Sequence, residues 1–199
     1  MTEVVLIDSG GANLASLVYA LERLGAQAQL TDDPKVVATA SRVILPGVGA
    51  AGSIMRRLEK LGLIEAIRQL RCPLLGICLG MQLLFERSEE NDTPTLGLLA
   101  GRARRFTVSE RHPVPHMGWN TLIPARDDPL LADLDPEAWV YFVHSYRLPH
   151  DIPEIIAVSN YGEPFAAAVR RDNFYGVQFH PERSGRTGAR ILHNFLHLG

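Results

Sequence analysis

Apolar and polar positions along this chain follow two different rhythms, and the change from one to the other comes near residue 86. Residues 4–7 (Val-Val-Leu-Ile) are apolar without interruption, as expected of a strand buried on both faces. Leu14, Leu17, Val18, Leu21 and Leu24 then recur at helical spacing, and Gly25 is placed to end that helix. A second apolar run, residues 43–45, is closed by Pro46 and Gly47, and helical stretches are predicted at 54–61 and 63–70. A third buried strand, residues 73–77, runs directly into the apolar segment 79–85. Strand and helix alternating in this order predict a parallel sheet with helices on both faces.

After Glu86 the grain is different. Polar residues and Pro94 crowd residues 87–95, which reads as a loop. Shorter strands are predicted at 104–108, 139–143, 155–159, 165–170 and 174–179, with seven prolines, from Pro113 to Pro153, punctuating the stretch. Hairpins added to a mixed sheet fit this pattern. A closing helix over 187–196 puts Ile191, Leu192, Phe195 and Leu196 on one face. No repeat, low-complexity tract or linker breaks the chain, so residues 1–199 are expected to form a single α/β domain with an open, mixed, mostly parallel sheet.

Composition narrows this picture by exclusion. With 46% hydrophobic and 21% charged residues, the chain is neither disordered nor collagen-like. A formal net charge of −2 creates no field that would draw it to nucleic acid or an anionic membrane. Its two cysteines, Cys72 and Cys78, match neither a redox pair nor zinc-ligand spacing. The start carries no basic segment followed by a long apolar run, and no 18 consecutive residues are apolar. A soluble protein of a reducing compartment is expected, with the cytoplasm as the default.

The candidate chemistry begins at Gly76-Ile77-Cys78-Leu79-Gly80. A nucleophile between two glycines, after an apolar strand and before a helix, is a cysteine version of the G-x-S-x-G elbow. The sharp turn exposes the side chain, and a thiol beside helical N–H groups gains thiolate character. Taken alone, the pentapeptide suits a small buried cysteine equally well. Cys72, beside Pro73, lacks this setting and reads as structural. A cysteine nucleophile needs a base and an orienting group, and Gly176-Val177-Gln178-Phe179-His180-Pro181-Glu182 offers both. His180 falls at the carboxyl end of a strand, where open α/β sheets place their sites. Pro181 keeps His180 extended, and in extended chain Glu182 shares its face. Cys78, His180 and Glu182 are therefore expected to form a triad, with activity falling at acidic pH as His180 protonates.

GICLGMQ and GVQFHPE, in this order, resemble the class I (triad) glutamine amidotransferases. Pro46-Gly47-Val48-Gly49, His116-Met117-Gly118-Trp119-Asn120 and His144-Ser145-Tyr146 are similar to the branch that serves imidazole glycerol phosphate synthase. The resemblance implies a three-layer, flavodoxin-like arrangement and a glutaminase that uses no cofactor and no metal. It places the oxyanion donors at the backbone of Leu79 and of Val48 or Gly49. It gives the amino-acid end of glutamine to Gln82, Glu90 and the backbone around His144, Ser145 and Tyr146. It also implies a (β/α)8-barrel cyclase partner that receives ammonia and forms imidazole glycerol phosphate in histidine biosynthesis, faced by Asn13, Met117, Trp119 and Arg183. The chain departs from the usual pattern at Ser9, Ala12, Ala51 and Arg183, where tyrosine, glycine, phenylalanine and lysine are typical.

Three other patterns are set aside. Gly47-Val48-Gly49-Ala50-Ala51-Gly52 is literally G-x-G-x-x-G, but the next strand ends in Ile77-Cys78 and not in an acid, which excludes a dinucleotide site. His193 and His197 are spaced as a metal pair with no third ligand in sight, and a helix C-terminus already explains them. Arg102, Arg104 and Arg105 read as a solvated strand edge.

Overall fold

The three uninterrupted apolar runs become the middle of one sheet, in a computed structural model that describes residues 2–10 and 14–198. The chain opens with β1 (Thr2–Ile7), α1 (Leu14–Arg23), β2 (Ala26–Thr31), α2 (Pro34–Ala38), β3 (Val43–Gly47), α3 (Ala51–Lys60) and α4 (Leu63–Arg68). β4 (Leu74–Cys78) and α5 (Leu79–Leu83) follow, then the short strands β5 (Arg87–Ser88), β6 (Thr93–Pro94) and β7 (Arg102–Arg105). Next come β8 (His116–Thr121), β9 (Ile123–Pro124), β10 (Trp139–His144) and β11 (Tyr146–Arg147). β12 (Ile155–Asn160), β13 (Pro164–Arg171), β14 (Phe174–Val177) and α6 (Gly185–Leu196) complete the order.

Among the described residues the large sheet has eight strands in the order β2-β1-β3-β4-β14-β13-β12-β9. From β2 to β14 neighbours run parallel; β14, β13, β12 and β9 pair antiparallel. The mixed, mostly parallel α/β sheet is thus as expected. Alternation along each strand sorts the core into two layers. Val4 and Leu6 pack on one face with Leu17 and Leu21 of α1 and Ile191, Leu192 and Phe195 of α6. Val5 and Ile7 pack on the other with Val37, Ile54, Leu58, Leu63 and Ile67 of α2, α3 and α4. Each such fully buried aliphatic side chain contributes roughly 1.5–3 kcal/mol, so both layers together fix the sheet's register.

Several elements differ from expectation. β2 and α2 were not foreseen, the segment 87–95 contains β5, a 3-10 turn (Glu90–Asp92) and β6, and the strand expected at 104–108 lies at Arg102–Arg105. α6 begins at Gly185, two residues earlier than the periodicity indicates. β8 was also unforeseen; it pairs with β10 in a separate two-stranded sheet.

The register of the large sheet positions the chemistry. β4 lies between β3 and β14, with Gly47 opposite Cys78 and Val177 opposite Ile77. Their carboxyl ends therefore emerge side by side, at the edge where open α/β sheets bind ligands.

Candidate active site

Cys78 ends β4 and precedes α5 with φ 54°, a left-handed conformation that costs a non-glycine residue about 1–3 kcal/mol. The surrounding glycines allow the elbow to close. A Cβ on Gly80 would come within 1.9 Å of the Leu45 carbonyl oxygen, and one on Gly76 within 2.6 Å of the Gly80 carbonyl oxygen. No side chain fits between β3, β4 and the first turn of α5. The Cys78 thiol is buried, its Sγ 3.8 Å from the Val143 carbonyl oxygen and 3.7 Å from Gln178 Nε2.

His180 is buried beyond the end of β14, its N–H donating to the Tyr141 carbonyl at 2.9 Å. Ser184 Oγ donates to the His180 carbonyl at 2.7 Å and accepts from the Tyr141 N–H at 2.9 Å, so the loop carrying the imidazole is stitched to β10. His180 Nδ1 lies 2.9 Å from Glu182 Oε1. The route differs from expectation: Glu182 sits in a 3-10 turn, Pro181–Arg183, so its carboxylate meets the ring across a tight turn and not along an extended segment. Burial opposes a charge on this ring. Hydrogen bonding to Cys78 and Glu182, together with their charges, outweighs it and raises the His180 pKa to about 10. The ring is therefore already cationic at neutral pH, which corrects the expectation that acid disables the site by protonating His180. Buried sulfur, imidazole and carboxylate groups in contact supply a nucleophile for a carbonyl carbon and a proton donor for a leaving group.

Cys78, His180 and Glu182 open into a cavity of about 430 Å³ that Val48, Gly49, Leu79, Gln82, Glu90, His144, Ser145 and Tyr146 also line. Gly49 has φ 96°, and among the described residues no hydrogen bond engages the Val48 or Gly49 N–H. Gln82 is buried, donating from Nε2 to the Tyr146 carbonyl and to Gln178 Oε1, each at 2.9 Å. Glu90 Oε2 accepts from the Ala51 N–H at 2.6 Å, tying the loop after α5 to the start of α3. Ser9 Oγ donates to the Pro46 carbonyl at 2.9 Å, anchoring the strand that leads into Val48 and Gly49.

Met117 and Trp119 are 64% and 53% exposed, on one face of the β8–β10 ribbon. Trp119 packs edge-on against Tyr141, and the Arg183 guanidinium lies 4.3 Å over the same ring. Arg183 also lines the cavity, so this apolar face continues to the mouth of the site. Asn13 lies outside the described residues.

Gln178 and Ser184 were not singled out from the sequence, although both touch the triad; only their place in GVQFHPE and just after it could have flagged them. Of the other patterns, Gly47, Val48 and Gly49 line the cavity and the rest lie apart. Cys72 is half-buried before β4, His193 and His197 stack on each other at the end of α6, and no metal-binding cluster occurs among the described residues.

A profile of the glutamine amidotransferase class-I family matches residues 5–198. The imidazole glycerol phosphate synthase subunit HisH of Xylella fastidiosa is 56% identical over 198 residues, covering 100% of this chain and 98% of the relative. The protein of the same name from Xanthomonas axonopodis pv. citri is 54% identical over the same coverage. Among solved structures, a glutamine amidotransferase superposes with a TM-score of 0.75 at 19% identity, over 98% of this chain and 97% of that one. PurLQS from Thermotoga maritima gives 0.72 at 20% identity, again over 98% and 97%. At these identities the two structures speak for the fold.

Proposed function

Because the chain belongs to the class I glutamine amidotransferases, we propose that it is the glutaminase subunit of an imidazole glycerol phosphate synthase, acting in histidine biosynthesis. The observation that carries the catalytic assignment is the His180 ring, held between the Cys78 thiol and the Glu182 carboxylate at the mouth of a cavity. Cys78 Sγ attacks the side-chain carboxamide carbon of glutamine. His180 gives its proton to the departing nitrogen, releasing ammonia and leaving a glutamyl thioester. Water, deprotonated by the same ring, cleaves the thioester to glutamate and restores the thiol. Glu182 fixes the ring's orientation and stabilises its charge.

The Leu79 N–H and that of Val48 or Gly49 receive the developing oxyanion. Gln82, Glu90 and the backbone of His144, Ser145 and Tyr146 hold the amino-acid end. Support for this comes from their common place on the cavity wall. Residues 1–199 act as one domain, a reading supported by the family match and by a single sheet that joins both halves of the chain.

Free ammonia in neutral water is mostly ammonium, which is no nucleophile, so direct transfer to the acceptor is an advantage. The partner is a (β/α)8-barrel cyclase subunit that seats on the Met117–Trp119 face, with Arg183 beside it. The cytoplasm is its place of action; no helix among the described residues is long and apolar enough to cross a membrane.

The deciding experiment measures glutamate release from glutamine by the chain alone, and with a cyclase subunit and its nucleotide ligand. A large rise on adding both is expected. Turnover indifferent to the partner would keep the triad and discard the histidine-pathway role; no turnover of glutamine, with turnover of γ-glutamyl compounds, would replace the amidotransferase reading by a cysteine hydrolase.

A further inference from the structure

On β8, Met117 and Trp119 face outward and His116 and Asn120 face inward. His116 is buried while Met117 and Trp119 on the same strand are exposed. His116 stands directly opposite His144 of β10, and the two rings are joined, Nδ1 of His116 to Nε2 of His144, at 2.9 Å. His144 Nδ1 is 2.8 Å from the Tyr146 carbonyl, and His116 Nε2 is 3.3 Å from Asn120 Nδ2.

Donor counting leaves one solution for these contacts. A carbonyl only accepts, so His144 carries its proton on Nδ1. Both rings are neutral, since burial lowers the pKa of His116 to about 4 and of His144 to about 3. His144 Nε2 must then accept, which places the His116 proton on Nδ1 and makes His116 Nε2 an acceptor for the Asn120 amide. That amide is oriented independently: its Nδ2 also donates to the Asn160 carbonyl at 2.8 Å, and its Oδ1 accepts from the Thr121 N–H at 2.8 Å. The line ends at the Tyr146 carbonyl. That oxygen is shared with Gln82, whose amide also binds Gln178, which in turn reaches the Cys78 sulfur.

We propose that His116 is a positioning residue for glutamine: acting through His144, it fixes the Tyr146 carbonyl and with it the Gln82 side of the pocket. The proposal rests on the glutaminase reading and adds to it a residue that lines no part of the cavity. A purely packing role is the alternative, since His116 stacks on Phe142 and Tyr161 with centroids 4.9 and 4.1 Å away.

Two substitutions separate these roles because they rank oppositely. His116→Phe keeps an aromatic ring and loses the donor. His116→Asn loses the ring and keeps an N–H near the position of Nδ1. With cyclase subunit and nucleotide ligand present, His116→Phe is expected to raise KM for glutamine about tenfold with little change in kcat, the pattern of lost ground-state binding. His116→Asn is expected to stay within about threefold of wild-type KM despite a lower melting temperature. Wild-type KM in His116→Phe, or a KM further from wild type in His116→Asn than in His116→Phe, would overturn the proposal. Should a variant not fold, imidazole ¹⁵N NMR of the wild-type chain at pH 7 gives the answer. Two neutral Nδ1–H rings are expected, and an Nε2–H tautomer or a charged ring at either position would overturn it. Absence of glutamine turnover in the wild-type complex would instead remove the glutaminase reading, and this proposal with it.

Discussion

His180 and the His116–His144 pair are both buried, both hydrogen-bonded and both attached to β10, yet they are held in opposite charge states. His180 faces a carboxylate and a thiol, and its pKa rises to about 10. His144 faces a carbonyl, another imidazole and the rings of Phe106, Phe142 and Phe165, and its pKa falls to about 3. Burial acts in the same direction on all three rings. What differs is whether a partner can balance a full charge. Burial lowers the His144 pKa more than the Tyr146 carbonyl raises it, and the nearby His180 charge lowers it further, so this ring stays neutral. One histidine can therefore move a proton, and the other two hold a geometry.

The most severe way to break this contrast is to remove the thiol. Cys78→Ala is expected to lower glutamate release by the complex at least about 1,000-fold while the fold persists, checked by a coupled glutamate assay beside circular dichroism. His180→Ala should do the same. Glu182→Gln is milder: a loss of roughly 100-fold or more is expected, with the His180 pKa, followed by NMR, falling towards that of an ordinary imidazole. An unchanged pKa would mean that the contact with Cys78 alone suffices to raise it.

Titrating the fold sharpens the comparison further, because the two sites answer to opposite ends of the pH scale. The native His116 and His144 bind protons less readily than in the unfolded chain. Their contribution is complete above about pH 6.5 and is lost as pH falls towards 4, at up to about 1.4 kcal/mol per pH unit for each ring. His180 binds its proton more tightly when folded. Its contribution is complete below about pH 6.5 and fades as pH rises towards 10. Urea unfolding across this range should show both limbs, with Glu182→Gln flattening only the alkaline one. The smallest effect concerns the elbow backbone. Cys78→Gly should be more stable than Cys78→Ala by about 1 kcal/mol, since glycine accepts the positive φ that alanine does not.

The parts of this molecule differ in how openly the sequence displays them. β1, β3 and β4 were legible because burial on both faces leaves unbroken apolar runs. β2 was not: it is an edge strand, Ala26-Gln27-Ala28-Gln29-Leu30-Thr31, with glutamines and even Leu30 exposed. β8 was hidden for the opposite reason. Its hydrophobic residues point outward and its histidine and asparagine inward, so the usual rule of alternation reads it inside out. Cys78, His180 and Glu182 stood out because each sits in a short local motif. The meeting of His116 with His144 depends on cross-strand register, which no local pattern encodes.

The insertion of β14 between β4 and β13 has a consequence for the order of events on the ribosome. The strand that brings in His180 is made a hundred residues after the nucleophile, and until it arrives β4 has an open flank. Cys78 is synthesised early and stays without the His180 ring beside it until the sheet is filled from the far side. On the proposed function, glutamine turnover waits until the last strands have joined the sheet.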